Sequence, residues 1–112
     1  MKEKVPEISV IMSNYNTKES YLRESIESIL NQTFNDFEFI IIDDNSTSNS
    51  IEIIESYKDK RIKILRNDQN LGLASSLNKG IRYSKGNYIA RMDADDVSIN
   101  TRLEKQFNYL EN

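Results

Sequence analysis

The chain has 112 residues, the length of one compact domain (1–112), and its 38% apolar content with only 3 Gly and 1 Pro argues against disorder. A net charge of −3 leaves no basic footprint for nucleic acid. With no Cys and no His, disulfides, thiolate or imidazole metal sites and histidine-based catalysis are excluded, so any metal must be held by oxygen ligands.

In chain order, "ISVIMS" (8–13) reads as a buried strand. A helix follows in "TKESYLRESIESILNQT", where Leu22, Ile26, Ile29 and Leu30 recur at helical spacing and Thr17 is placed to cap. "FEFIIID" (37–43) is apolar at successive positions, which suits a strand covered on both faces of a parallel sheet. "SIEIIESYK" (50–58) predicts a helix with Ile51, Ile54 and Tyr57 along one stripe. "RIKILR" (61–66) alternates as a strand, with Ile62 and Ile64 on one face and Leu65 on the other. "LASSLNKGIRYS" (73–84) sets Leu73, Leu77 and Ile81 on one helical stripe, with Gly86 as its stop. "NYIARM" (87–92) is a fourth strand, and "SINTRLEKQFNYLEN" a last helix with Leu103, Phe107 and Leu110 on one face. The alternation βαβαβαβα predicts an α/β fold with a mainly parallel sheet of about four strands and flanking helices.

The longest apolar run, "FIII" (39–42), is too short to span a membrane, and "MKEKVPEI" has no signal-peptide core. No membrane segment and a cytoplasmic location are therefore expected.

The polar residues cluster by position. "SNYN" (13–16), "DDNSTS" (43–48), "NDQN" (67–70) and "DADD" (93–96) each follow a predicted strand. All four therefore fall on the carboxyl edge of the sheet, where open α/β sheets bind ligands. Asp and Asn also favour turns for local reasons, but turn chemistry explains paired Asp at two strand ends poorly. An EF-hand count over "DADDVSINTRLE" fails at Val97 and Ser98, where a ligand and a Gly are needed. Asp43–Asp44 as a phospho-receiver pair fails because such a pair belongs after the first strand. Asp96 could instead cap the last helix, and Tyr15 could be a core ring. No Gly-rich phosphate loop is present, so a phosphate here would be held through a divalent cation.

The segments "ISVIMSNYN", "SILNQTFNDFEFIIIDDNSTSNS", "NLGLASSLNKGI" and "GNYIARMDADD...RLEKQ" together resemble the nucleotide-sugar half of the inverting family 2 glycosyltransferases, whose fold is the Rossmann-like GT-A type. The resemblance implies transfer of a sugar from a nucleoside diphosphate, with UDP expected, to an acceptor hydroxyl with inversion. It implies that Ser13 and Tyr15 touch the base, that Asp44 accepts a hydrogen bond from it, and that Gly72 flanks the nucleotide. "DADD" matches the DxD motif, with Asp93 near the ribose and Asp95 ligating Mn²⁺ or Mg²⁺ on the diphosphate. Many relatives carry Arg where this sequence has Leu77, which leaves Lys79 or Arg91 to supply positive charge. The family's general base and its saccharide or lipid-linked acceptor site lie beyond residue 112, so the chain reads as a truncated or excised part, with Asp96 the one acid here that could serve as a base. A nucleotide- and metal-binding fragment without turnover of its own is the competing reading.

Overall fold

The computed structural model describes residues 5–112. Strands and helices alternate within them: β1 (Ile8–Asn14), α1 (Glu19–Leu30), β2 (Phe37–Asp43), α2 (Ser50–Glu55), β3 (Ile62–Arg66), α3 (Leu73–Tyr83), β4 (Tyr88–Asp93) and α4 (Arg102–Glu111). The four strands form one all-parallel sheet in the order β3-β2-β1-β4. This is the α/β architecture that the alternation predicts.

Burial follows the two-residue period of the strands. Val10, Met12, Phe39 and Ile41 face a large core that Leu22, Ile26, Ile29, Ile54 and Leu103 close from the helices. Ile11, Ile40 and Ile42 face a smaller cluster closed by Leu77 of α3. Removing one such side chain from water contributes about 1.5–3 kcal/mol, so the continuous apolar run of β2 fixes it in the sheet interior. Its one charged interior residue, Glu38, is buried and accepts bonds from Ser9 Oγ and the Lys85 N–H, each at 2.6 Å.

Several expectations need correction. Leu77 alone of the Leu73–Leu77–Ile81 stripe packs inward; Leu73 is 57% and Ile81 39% exposed. A four-residue step overshoots a helical turn by about 40°, which carries the two ends of the stripe to either side of the contact. The contact is narrow because Gly80 forms it: a Cβ there would lie 2.6 Å from Ile11 Cγ2 and 2.7 Å from Ile42 Cδ1. In α2, Ile53 joins Ile54 in the core, Ile51 is half-buried, and Tyr57 lies past the helix end. Lys18, not Thr17, occupies the N-cap of α1, with no side-chain capping bond. Gly86 does not end α3, which stops at Tyr83 with Ser84 as C-cap. It instead permits close passage of the chain against β1, since a Cβ would meet Ser9 Oγ at 2.6 Å and Ser9 N at 2.7 Å. Ile64 is 37% exposed because β3 is an edge strand, and Leu110 is 52% exposed while Phe107 stacks on Phe34.

Candidate functional site

From β1 the chain builds outward through β2 and β3, then returns to place β4 on the other side of β1. The carboxyl ends of β1 and β4 therefore flank a topological switch point, where ligands bind in open α/β sheets. Ser13 and Asp93 are register partners at this point.

The four polar clusters share this edge but do different work. The loops after β1 and β2 interlock. Asn16 and Asn45 adopt left-handed φ values of 51° and 60°, a conformation Asn tolerates better than most residues. Asn16 Oδ1 accepts bonds from the Thr47 and Ser48 N–H groups, both at 2.9 Å. Buried Asp43 accepts from Asn14 Nδ2 at 2.9 Å, and from Ser46 N at 2.9 Å and Ser46 Oγ at 2.7 Å. Asn14 Oδ1 is a buried acceptor with no protein partner among the described residues.

Asp44 is just as deeply engaged. Its Oδ1 accepts from Leu71 N at 2.7 Å and Asn67 Nδ2 at 2.8 Å, and its Oδ2 from Gly72 N at 2.9 Å. Burial pushes its carboxyl up, but the bonds from Leu71, Asn67, Gly72 and Ser76 outweigh it and hold the group below the ordinary carboxylate value. The residue is 3% exposed. Its evident work is to tie the 67–72 loop and the start of α3 to the end of β2.

The fourth cluster differs. Asp93, Asp95 and Asp96 are all exposed, and one carboxylate oxygen from each lies within 4.8 Å of the others. The strand ends at Asp93 and the chain turns through Ala94 and Asp95. The Asp96 N–H donates to Asp93 O at 3.0 Å, and Asp96 Oδ2 accepts from Asp93 N at 3.1 Å. A turn, not extended alternation, thus gathers the acids, with Ala94 tucked inward at 6% exposure. Asp96 does not cap α4, whose N-cap is Thr101.

Beside this turn lies an open cleft of about 420 Å³ between α3 and β4, lined by Leu73, Ala74 and Leu77 on one side and by Arg91, Asp93 and Asp96 on the other. Gly72 immediately precedes α3 at the cleft, with φ 89°. Arg91 is the basic residue that borders the acids. Lys79 is tied to Asn67 Oδ1 at 2.9 Å, and Leu77 is core. Tyr15 is 52% exposed, one residue past β1, so it is not a core ring. Two other hollows, of about 810 Å³ near Lys63 and Tyr83 and about 440 Å³ near Ile89 and Tyr109, are each at least as large but contain none of the clustered acids. The smaller cleft has the convergent hard-oxygen donors, and chemistry outweighs volume here.

The structure thus brings Ser13, Asp93, Asp95, Asp96 and the Gly72 helix entry to one edge, and it sets Asp44 beneath that edge. The sequence reading missed Ser25, Ser28 and Gln32 of the first helix region, whose side chains bond the backbone at Ala94, Ser98, Ile99 and Leu103. The available signal was their spacing of three and four, which sets three polar groups on a helix face shared with Ile29 and Leu22.

Residues 9–112 match the family described as Glycosyl transferase family 2. The chain belongs to this family. It is 53% identical over 110 residues to an uncharacterized glycosyltransferase of Methanocaldococcus jannaschii, covering 96% of this chain and 38% of that protein. It is 36% identical to the Escherichia coli UDP-Glc:alpha-D-GlcNAc-diphosphoundecaprenol beta-1,3-glucosyltransferase WfaP, covering 93% of this chain and 41% of WfaP. Its fold superposes on the crystal structure of S. aureus TarS 1-349 in complex with UDP-GlcNAc with a TM-score of 0.88 at 27% identity, over 94% of this chain and 31% of that one. The fold is therefore the Rossmann-like portion of a GT-A glycosyltransferase. The chain spans about a third to two-fifths of the length of these relatives. Among the described residues, no helix is long and apolar enough to cross a membrane.

Proposed function

We propose that residues 1–112 form the donor-binding part of an inverting glycosyltransferase that takes a UDP-linked sugar with the help of a divalent cation. The observation that carries this reading is the exposed three-carboxylate turn, Asp93–Asp96, at the switch point of a family 2 fold. These residues fit Mn²⁺ or Mg²⁺: they are hard oxygen donors, close enough to share one ion, and open enough for phosphate oxygens to complete the coordination. Such an ion would offset the negative charge that develops on the departing diphosphate.

In this reading Asp95 is the principal ligand and Asp93 reaches both the ion and the ribose. Ser13 and Tyr15 border the base. Asp44 shapes the base pocket through the 67–72 loop, and the second lone pair of its Oδ2 can accept a base N–H. Arg91, on the cleft wall, supplies the positive charge that Leu77 does not. UDP is favoured because WfaP carries UDP-Glc in its name and TarS was solved in complex with UDP-GlcNAc. The acceptor is a saccharide or a lipid-linked saccharide, as the name of WfaP states for that enzyme. Asp96 braces the turn through Oδ2 and offers its other oxygen to the ion, so the general base is assigned elsewhere, and these residues alone hold the donor without turnover.

Calorimetric titration with UDP and with GDP, each with Mn²⁺, tests the assignment. UDP should bind at least about tenfold more tightly, a difference of about 1.4 kcal/mol. Equal affinity for the two nucleotides, or no binding of either, would overturn it.

A further inference from the structure

The acidic turn is held from behind by α1. Ser25, fully buried among Leu22, Ile26 and Ile29, donates from Oγ to the Ala94 carbonyl at 2.7 Å. One turn on, Ser28 Oγ accepts from Ser98 N at 3.1 Å. Gln32, 4% exposed, donates to Ile99 O at 2.7 Å and accepts from Leu103 N at 3.0 Å. Ser25 and Ser28 on α1 and Gln32 just past its end continue one stripe and grip the main chain at intervals from 94 to 103.

A hydroxyl on a buried apolar helix face is costly if left unbonded, and Ala at position 25 would avoid that cost with nearly the same shape. What Ser25 adds is a fixed direction for the Ala94 carbonyl. Because the peptide unit is planar, fixing that carbonyl also fixes the Asp95 N–H and Cα. Ala94 stands between two of the clustered carboxylates, so its peptide plane determines how Asp93 and Asp95 approach each other.

We propose that Ser25 is a positioning residue for the cation and diphosphate, acting through the Ala94 peptide, with Ser28 and Gln32 securing the chain behind it. This inference rests on the metal reading of the acidic turn given above. Groups that orient metal ligands change metal affinity roughly 10- to 100-fold when removed.

The test is UDP affinity by calorimetry, with and without Mn²⁺, for the wild-type chain, Ser25→Ala and Ser25→Cys. The wild type should bind UDP more tightly with Mn²⁺. Ser25→Ala should lose roughly 10- to 100-fold of the affinity measured with Mn²⁺, with metal-free affinity unchanged and faster amide exchange at Asp96, whose N–H closes the turn on Asp93 O. Ser25→Cys, with a weak thiol donor, should fall between, and it carries the test if Ser25→Ala does not fold. Full retention of the Mn²⁺ enhancement in the variants, or equal losses with and without the ion, would overturn the positioning role alone. Absence of any enhancement in the wild type would overturn the metal reading and this inference with it.

Discussion

The Gly72 N–H donates to Asp44 Oδ2 at 2.9 Å, so the carboxylate just past β2 holds the first residue before α3. With the bonds from Leu71 and Asn67, Asp44 joins three successive parts of the sheet's carboxyl edge: the second strand, the 67–72 loop and the helix that walls the cleft. An aspartate that the family resemblance assigns to the base is, in the fold, first a structural anchor.

Asp44→Asn should therefore destabilise the chain as well as weaken nucleotide binding. It keeps the shape but puts an NH₂ where backbone N–H groups donate. Hydrogen bonds to a charged acceptor are worth about 1.5–3 kcal/mol, and urea unfolding should show a loss of that order. A loss of UDP affinity with no loss of stability would show that the carboxylate serves the base directly.

The same anchor predicts an acid limb. The native pKa of Asp44 lies below its ordinary value of 3.8, so between the two the unfolded chain binds more protons than the native one. Stability from this group is thus complete above the ordinary value and lost as pH falls through the native one. Asp59, lowered by its bond to Arg61, adds to the same limb. Urea midpoints measured from pH 6 down to pH 2 should fall below about pH 4, less steeply in Asp44→Asn.

Gly72→Ala should cost about 1–3 kcal/mol by backbone strain alone. At φ 89° and ψ 166° the position is essentially reserved for glycine, while no atom lies within 4 Å of the added Cβ. Thermal unfolding checks it, and an unchanged melting temperature would show that the helix entry can re-form.

Gly86→Ala and Gly80→Ala separate two kinds of crowding. At Gly80 the added Cβ meets side-chain atoms only, the terminal Ile42 Cδ1, which can swing, and Ile11 Cγ2, which yields only with a small backbone or χ1 shift, so about 1–3 kcal/mol is expected. At Gly86 it meets Ser9 N at 2.7 Å and Ile8 C at 2.8 Å, backbone atoms of the central strand that cannot. Gly86→Ala should be the more damaging in parallel urea unfolding curves.

The fold was legible because its signals are local and periodic. The run "FEFIIID" and the bounds of β2 coincide at 37–43, and the strand–helix alternation leaves little choice of topology. The helix faces were less so: the small residues Ser76 and Gly80 of α3 meet the sheet beside Leu77, while Leu73 and Ile81 near its ends do not, and a hydrophobic pattern has no means to mark a glycine as a contact. At the site, strand-end placement located the edge. It could not separate aspartates that fasten loops, Asp43 and Asp44, from those left facing solvent, because that difference lies largely in partners 23 to 29 residues away, such as Asn67, Gly72 and Asn14. Ser25 and Gln32 were invisible for the same reason, since their partners at Ala94, Ile99 and Leu103 are brought near only by folding.

The central claim, that the turn at Asp93–Asp96 holds a cation for a nucleoside diphosphate, is tested most directly by thermal melting with UDP, with and without Mn²⁺. A ligand at 100 times its Kd stabilises by about 2.7 kcal/mol. The wild type should melt higher with UDP and Mn²⁺ together than with either alone. Asp95→Asn, which keeps the shape and removes the charge, should lose the Mn²⁺-dependent part, and Asp96→Asn should lose less. A wild type that melts at one temperature in all conditions, or an Asp95→Asn variant that keeps the full Mn²⁺ shift, would contradict the claim and leave the three carboxylates a solvated turn.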